Sequence, residues 1–203
     1  MNHASKLMLS DEELQLVNNP DWILTKRIII EKVNQFLGAL SENQKAVIEN
    51  EKNWLPLAVV QSTAKISKGE NYLQLPYLLL DYPRCFDGEN IFAVRTMFWW
   101  GNYFSITLQL SGIYKQMFQK KIVEYPDLAK QHFFICINEN QWHHHFEADN
   151  YIAVKQLANK DLQDIILKKQ FVKLSLNFSL RQWNDIPALL DNAFKKIIEM
   201  LKG

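Results

Sequence analysis

The stretch that decides the fold covers residues 72–111, YLQLPYLLLDYPRCFDGENIFAVRTMFWWGNYFSITLQLS. It is rich in aromatic and β-branched residues and contains three runs of strand length. Pro83 with Asp87-Gly88, and then Gly101-Asn102, separate these runs. Because turns this short join antiparallel neighbours, we predict three consecutive antiparallel strands over residues 76–82, 91–100 and 103–110.

The two later strands of this block predict different environments. In residues 103–110, apolar and polar side chains alternate strictly, which is typical of a strand with one buried face. Residues 91–100 are largely apolar on both sides, with Arg95 as the charged exception. A strand of that kind is typical of the centre of a sheet.

Further elements follow on both sides of this block. Residues 133–137 and 171–180 have strand patterns, and a fifth extended segment is predicted over residues 142–154. Residues 54–69 are predicted to be a connector. The predicted helices are a short one capped by Ser10 and Glu13, a long one capped by Asp21 over residues 21–51, one after residue 112, a short one capped by Asn159, and a final one after Asp185. Because Gly38 lies within the long helix, a kink or break near Ser41 is left open.

This pattern predicts an α+β fold in a single domain over residues 1–203, with residues 1–9 disordered. The sheet is expected to be mainly antiparallel and twisted, with about five to six strands. The long N-terminal and C-terminal helices are expected to pack against one face of it. The chain shows no internal repeat, and it has no Pro-, Ser- or Gly-rich linker that would divide it.

Composition narrows the class of protein. The chain is 48% hydrophobic and 22% charged, as expected of a globular protein. Its net charge of +1 is too small to create an electrostatic field that attracts polyanions. The sequence contains no basic patch, so we expect neither nucleic-acid nor membrane binding. Residues 91–110 are too polar for a membrane span. Two cysteines, Cys85 and Cys136, fit reduced thiols, so we expect a cytoplasmic protein.

A histidine cluster is one candidate site. If residues 142–154 are extended, His143, His145, Glu147 and Asp149 point to the same side. Two imidazoles one residue apart and a carboxylate can bind zinc or iron. The sequence therefore allows a metal site at His143, His145 and Glu147, and a polar edge strand or loop is the alternative.

A charged and aromatic group in the strand block is the second candidate. Pairing of the first two strands around Asp87-Gly88 brings Asp81 or Arg84 near Arg95. An arginine held by a carboxylate can offer its remaining N–H groups to a small anionic ligand, and Trp99 and Tyr103 can pack against an aromatic one. The alternative is an ion pair that only fixes strand register.

Three functions from different classes remain open. The leading hypothesis is a non-catalytic domain that binds a small anionic or aromatic ligand, or a protein, through the aromatic and arginine-bearing sheet face. The second is a metal-dependent hydrolase or oxygenase centred on the histidine cluster. The third is a homodimer in which an exposed apolar helix face or edge strand is the subunit contact.

Overall fold

A computed structural model describes residues 7–126 and 128–203. The α+β prediction is confirmed: one antiparallel sheet carries helices on one face. We predicted that residues 1–9 are disordered, and residues 1–6 of this segment lie outside the described residues. Leu7, Met8 and Leu9 are exposed. No helix within the described ranges is both long and apolar enough to cross a bilayer.

The sheet has seven strands in the order β1-β2-β3-β4-β7-β5-β6, one or two more than predicted. The strands are β1 (Lys65–Tyr72), β2 (Leu75–Asp87), β3 (Asn90–Trp99), β4 (Tyr103–Ser111), β5 (Phe134–Cys136), β6 (Tyr151–Ala153) and β7 (Phe171–Ser179). The helices are α1 (Asp11–Val17), α2 (Pro20–Asn50), α3 (Leu57–Val60), α4 (Gly112–Glu124), α5 (Asn159–Lys168) and α6 (Ile186–Lys202).

The main core lies between the sheet and helices α2, α4 and α6. The inward residues of β3 and β4 alternate along each strand, as period-two patterning requires, and meet the apolar stripes of the helices. The stripe of α2 buries Val33, Leu37, Leu40 and Ile48, and that of α6 buries Leu190, Phe194, Ile197 and Leu201. Packing of both long helices against one face is confirmed.

Several predicted boundaries are wrong for identifiable reasons. The Asn19 side chain caps α2 by accepting from the Asp21 N–H at 3.0 Å, so the helix begins at Pro20 rather than at Asp21. Gly38 does not break it, since burial of the stripe on both sides outweighs the roughly 1 kcal/mol that glycine costs. Residues 54–69 contain α3 and most of β1, which alternation did not reveal because β1 is a polar edge strand.

The fifth predicted strand is mostly wrong. Of residues 142–154, only Tyr151–Ala153 forms a strand, and residues 138–150 form an irregular loop. Asparagine side chains replace strand partners here: Asn138 accepts from the Asn140 N–H at 2.7 Å, and Asn140 accepts from the Trp142 N–H at 2.9 Å. Such local bonds favour turns over extended pairing. We refer to residues 138–150 as the covering loop.

Candidate functional site

The covering loop lies over the sheet face opposite the helices. At the centre of that face, four polar residues are successive cross-strand partners on β2, β3, β4 and β7: Asp81, Arg95, Thr107 and Ser175. Thr107 and Ser175 are linked by a hydroxyl–hydroxyl bond of 2.7 Å. The loop therefore encloses a polar row that crosses four strands.

Asp81 and Arg95 form the predicted cross-strand ion pair. Arg95 donates Nε to Asp81 Oδ1 at 2.6 Å and Nη2 to Oδ2 at 2.9 Å, which is the two-point geometry that suits a guanidinium and a carboxylate. The Arg95 side chain is only 12% exposed and that of Asp81 only 7%. Arg95 Nη1 lies 3.3 Å from His144 Nε2. These contacts engage three of the five Arg95 N–H donors, so an anion at Arg95 would have to share the guanidinium with Asp81 and the His144 ring.

Arg84 does not join this pair. The β2–β3 register shifts between Asp81 and Arg84, and Pro83, which has no N–H to donate, lies in that irregular stretch. Beyond it, the Arg84 guanidinium donates to the Thr63 carbonyl at 3.2 Å, and its backbone N–H donates to Ser62 at 3.1 Å. The structure thus ties Arg84 to the segment before β1.

Trp99 and Tyr103 are packed rather than open to a ligand. Trp99 is 6% exposed and donates Nε1 to the Tyr72 carbonyl at 3.2 Å. The rings of Trp99 and Tyr103 meet edge to face at 5.4 Å, and Tyr103 meets Phe146 of the covering loop in the same way at 5.2 Å. These contacts make the aromatic end of the face a second, smaller core.

Tyr72 anchors the covering loop. Its hydroxyl accepts the backbone N–H groups of His144 at 2.6 Å and His145 at 3.1 Å. It also lies 3.0 Å from His145 Nδ1. Because the hydroxyl oxygen already accepts twice, its own proton is left to donate to Nδ1. The proton of His145 is then on Nε2, which faces Asp149 at 3.3 Å.

Each of the three histidines has its own polar partner, although the rings of His143 and His145 lie 5.3 Å apart. His143 Nε2 is 3.1 Å from the Asn140 amide, His144 faces Arg95, and His145 lies between Tyr72 and Asp149. Glu147 is exposed. In residues 7–126 and 128–203, no three His, Cys, Asp or Glu side chains are grouped to hold a metal ion. The extended geometry on which the predicted metal site depended is wrong.

Lys173 is a buried charge that the sequence analysis missed. It is 1% exposed, and its ammonium donates to the loop carbonyls of Gln141 at 2.9 Å and His143 at 2.6 Å. Burial lowers the pKa of Lys173 to about 8, and Arg95 contributes to the lowering. Lysine on the polar side of an alternating strand resembles a solvent-facing residue, so the pattern gives no signal of this role.

Burial also shifts neighbouring groups toward their neutral forms. It lowers the pKa of His144 well below its usual range, and the charges of Lys173 and Arg95 add to that effect. It raises the pKa of Tyr103 and that of Tyr151. Neutral His144 fits its geometry, since Nε2 must accept the proton that Arg95 Nη1 donates.

The N-terminal segment of the described chain is a second candidate site. No residue from 7 to 32 is buried, and we call this segment the N-terminal arm. Ten of the eighteen exposed large hydrophobic residues of the described chain belong to it, and the other eight are spread over residues 57–183. They are Leu7, Met8, Leu9, Leu14, Leu16, Val17, Trp22, Ile23, Leu24 and Ile28.

The arm contains an apolar groove of about 450 Å³ between α1 and the start of α2. Leu16, Val17, Trp22, Ile23 and Leu24 are among its lining residues. The arm reaches the rest of the protein through an ion pair of 2.6 Å between Lys26 and Glu70, and through Ile29 and Ile30 at the edge of the core. In the sequence, this segment is recognisable only as a stretch rich in apolar residues.

Comparison with known proteins gives no relative from which to transfer a role. A scan of family models finds no match, and searches of curated proteins and of solved structures likewise return no similar chain.

Proposed function

We propose that this chain is a non-catalytic interaction protein, and that the N-terminal arm is the surface through which it binds another polypeptide. The observation that carries the proposal is the concentration of ten exposed large apolar side chains in one segment. Exposed hydrophobic residues are normal when scattered singly, whereas a contiguous patch marks an interaction surface.

The shortness of α1 supports the same conclusion. α1 has seven residues and none of them is buried. Isolated helices of fewer than about 12–15 residues are marginal in water, so α1 depends on tertiary contacts or on a partner. Its capping box, in which Ser10 and Glu13 bond each other's backbone N–H groups at 3.2 and 2.7 Å, defines where the helix starts but buries no apolar area.

The covering loop is weaker support for the small-ligand hypothesis. Asp81 already engages two of the Arg95 donors, and the His144 ring stands at a third. Binding of an anion at Arg95 therefore stays a prediction. The metal-enzyme hypothesis also stays a prediction; His143 and His145 contact different polar groups, and Glu147 is exposed.

Photo-crosslinking in cells of the organism that encodes the chain tests the proposed function. A photoreactive phenylalanine analogue replaces Leu16, which is 54% exposed on the arm. The matched control carries the same analogue at Gln163, an exposed residue of α5. We expect a covalent protein adduct at Leu16 well above that at Gln163. Equal labelling at the two positions would overturn the proposal.

A further inference from the structure

We infer that the partner of the N-terminal arm is a second copy of this chain, bound with the two arms antiparallel about a two-fold axis. This inference rests on the proposed function, because it names the partner of the same surface. In such a dimer each arm contacts the equivalent arm of the other subunit, so the surface has to be complementary to itself.

The size of the arm fits a subunit contact. Residues 7–32 are 26 residues, and a standard stable interface uses about 20–30 residues on each side. The thirteen residues of α2 before Val33 form about 20 Å of helix at 1.5 Å per residue, long enough to lie along a partner helix. Trp22 and Met8 are residue types enriched in interface cores.

The charges of the arm are arranged for self-pairing. Asp11, Glu12 and Glu13 form the first turn of α1, whereas exposed Arg27 and Lys32 lie further along α2, where Glu31 offsets part of their charge. When two arms run antiparallel, the acidic start of each approaches the basic part of the other, and both contacts are attractive. A parallel arrangement would place like charges together.

The same charges disfavour a membrane as the occupant. Residues 7–32 contain five acidic and three basic residues (Asp11, Glu12, Glu13, Asp21 and Glu31 against Lys26, Arg27 and Lys32), a net charge of −2. Helices that lie on anionic lipid carry a polar face rich in Lys and Arg. The arm has the opposite balance, so its apolar surface suits a protein better than a bilayer.

Sedimentation velocity of the purified full chain over a range of concentrations is the first test. We expect a species of twice 23.9 kDa that dissociates on dilution. Ile23→Glu, which places a charge at a residue 43% exposed, is expected to give the 23.9 kDa species throughout. Ile113→Glu is the matched control, since Ile113 is 51% exposed on α4, and it is expected to leave the dimer intact.

Charge reversal tests the two-fold arrangement. One variant carries Asp11→Lys and Glu12→Lys, and the other carries Arg27→Glu and Lys32→Glu; Glu13 is kept because its side chain caps α1. Each variant alone should be monomeric, because its like-charged arms repel. An equimolar mixture should recover a dimer, because the two reversed groups then meet each other with opposite charges, and so do the two unreversed groups. Circular dichroism verifies that both variants are folded.

The outcomes separate the two proposals. A wild-type chain that stays at 23.9 kDa at every concentration overturns the second-copy inference. Reversal variants that dimerise as well as the wild type overturn it too. If the purified chain is monomeric while Leu16 crosslinks to a different protein in cells, the proposed function stands and only the identity of the partner is wrong. If Leu16 also fails to crosslink, both proposals fail.

Discussion

At the scale of single residues, the Asp81–Arg95 pair shows what strand patterning can predict. Pairing around the Asp87-Gly88 turn places Arg84 opposite Ala93, and the same register would place Tyr82 opposite Arg95. The register shift between Asp81 and Arg84 makes Asp81 the partner of Arg95 instead. Spacing therefore predicted the neighbourhood of the pair, whereas the choice between Asp81 and Arg84 was decided by the shift beside Pro83, which depends on how β2 meets its neighbours.

Lys173 gives a pH-dependent prediction. Its pKa is about 8 in the folded protein, whereas an unperturbed lysine has a pKa of 10.5, so between these values the unfolded chain binds more protons than the folded one. Stability linked to Lys173 should therefore rise as pH increases from 8 to 10.5. At 1.36 kcal/mol per pKa unit, the full rise is about 3 kcal/mol.

The measurement is the unfolding free energy of wild type minus that of Lys173→Met, determined by urea unfolding from pH 7 to pH 10. Taking the difference removes most of the contribution of Tyr103 and Tyr151, whose raised pKa values lower stability above pH 10 in both proteins. A difference that stays flat or falls across this interval would show that Lys173 does not change protonation state on folding.

At the scale of elements, periodicity predicted the strands and helices that have one clear apolar face. It succeeded for β4, β7 and α6, where burial of that face decides the conformation, and apolar residues on both sides of β3 predicted a central strand. It failed for β1, whose residues 65–72 pair with β2 while remaining mostly polar. It also failed for the covering loop, where asparagine bonds and buried cations determine the path of the chain and leave no periodic signal.

The covering loop should depend on Tyr72 for its order. Tyr72→Phe removes the hydroxyl that bonds the backbone of His144 and His145 and the His145 ring. At about 0.5–1.5 kcal/mol for each of these three net hydrogen bonds, we expect a loss of about 1.5–4.5 kcal/mol in unfolding free energy. We also expect faster amide exchange in residues 138–150, measured by hydrogen–deuterium exchange with mass spectrometry.

Tyr77→Phe is the control for this experiment. The Tyr77 ring lies 6.1 Å from that of Tyr72 on the same face, so the substitution removes a neighbouring hydroxyl and preserves the loop bonds. Exchange in the covering loop should then match the wild type. Equal acceleration in both variants would mean that general packing, and not the Tyr72 hydroxyl, orders the loop.

At the scale of the whole molecule, the described structure has two unlike parts. The sheet and its helices bury most of their large apolar residues, whereas no residue of the N-terminal arm is buried. Sequence patterning identified the arm's helices and the Ser10 cap of α1, but not the Asn19 cap of α2 or the exposure of the two helices. Amphipathicity shows which face of a helix is apolar, and only the positions of the other elements show whether anything covers it.

This division predicts that the order of α1 depends on protein concentration. If a second chain covers the arm, mass action stabilises the dimeric form as the concentration rises. The amides of residues 11–17 should then exchange more slowly in concentrated solution, and those of β3 should not change, because β3 lies in the core of each subunit. In Ile23→Glu, exchange in α1 should be fast at every concentration. Slow, concentration-independent exchange in both proteins would instead mean that α1 is stable within one chain, and the argument from its shortness would fail.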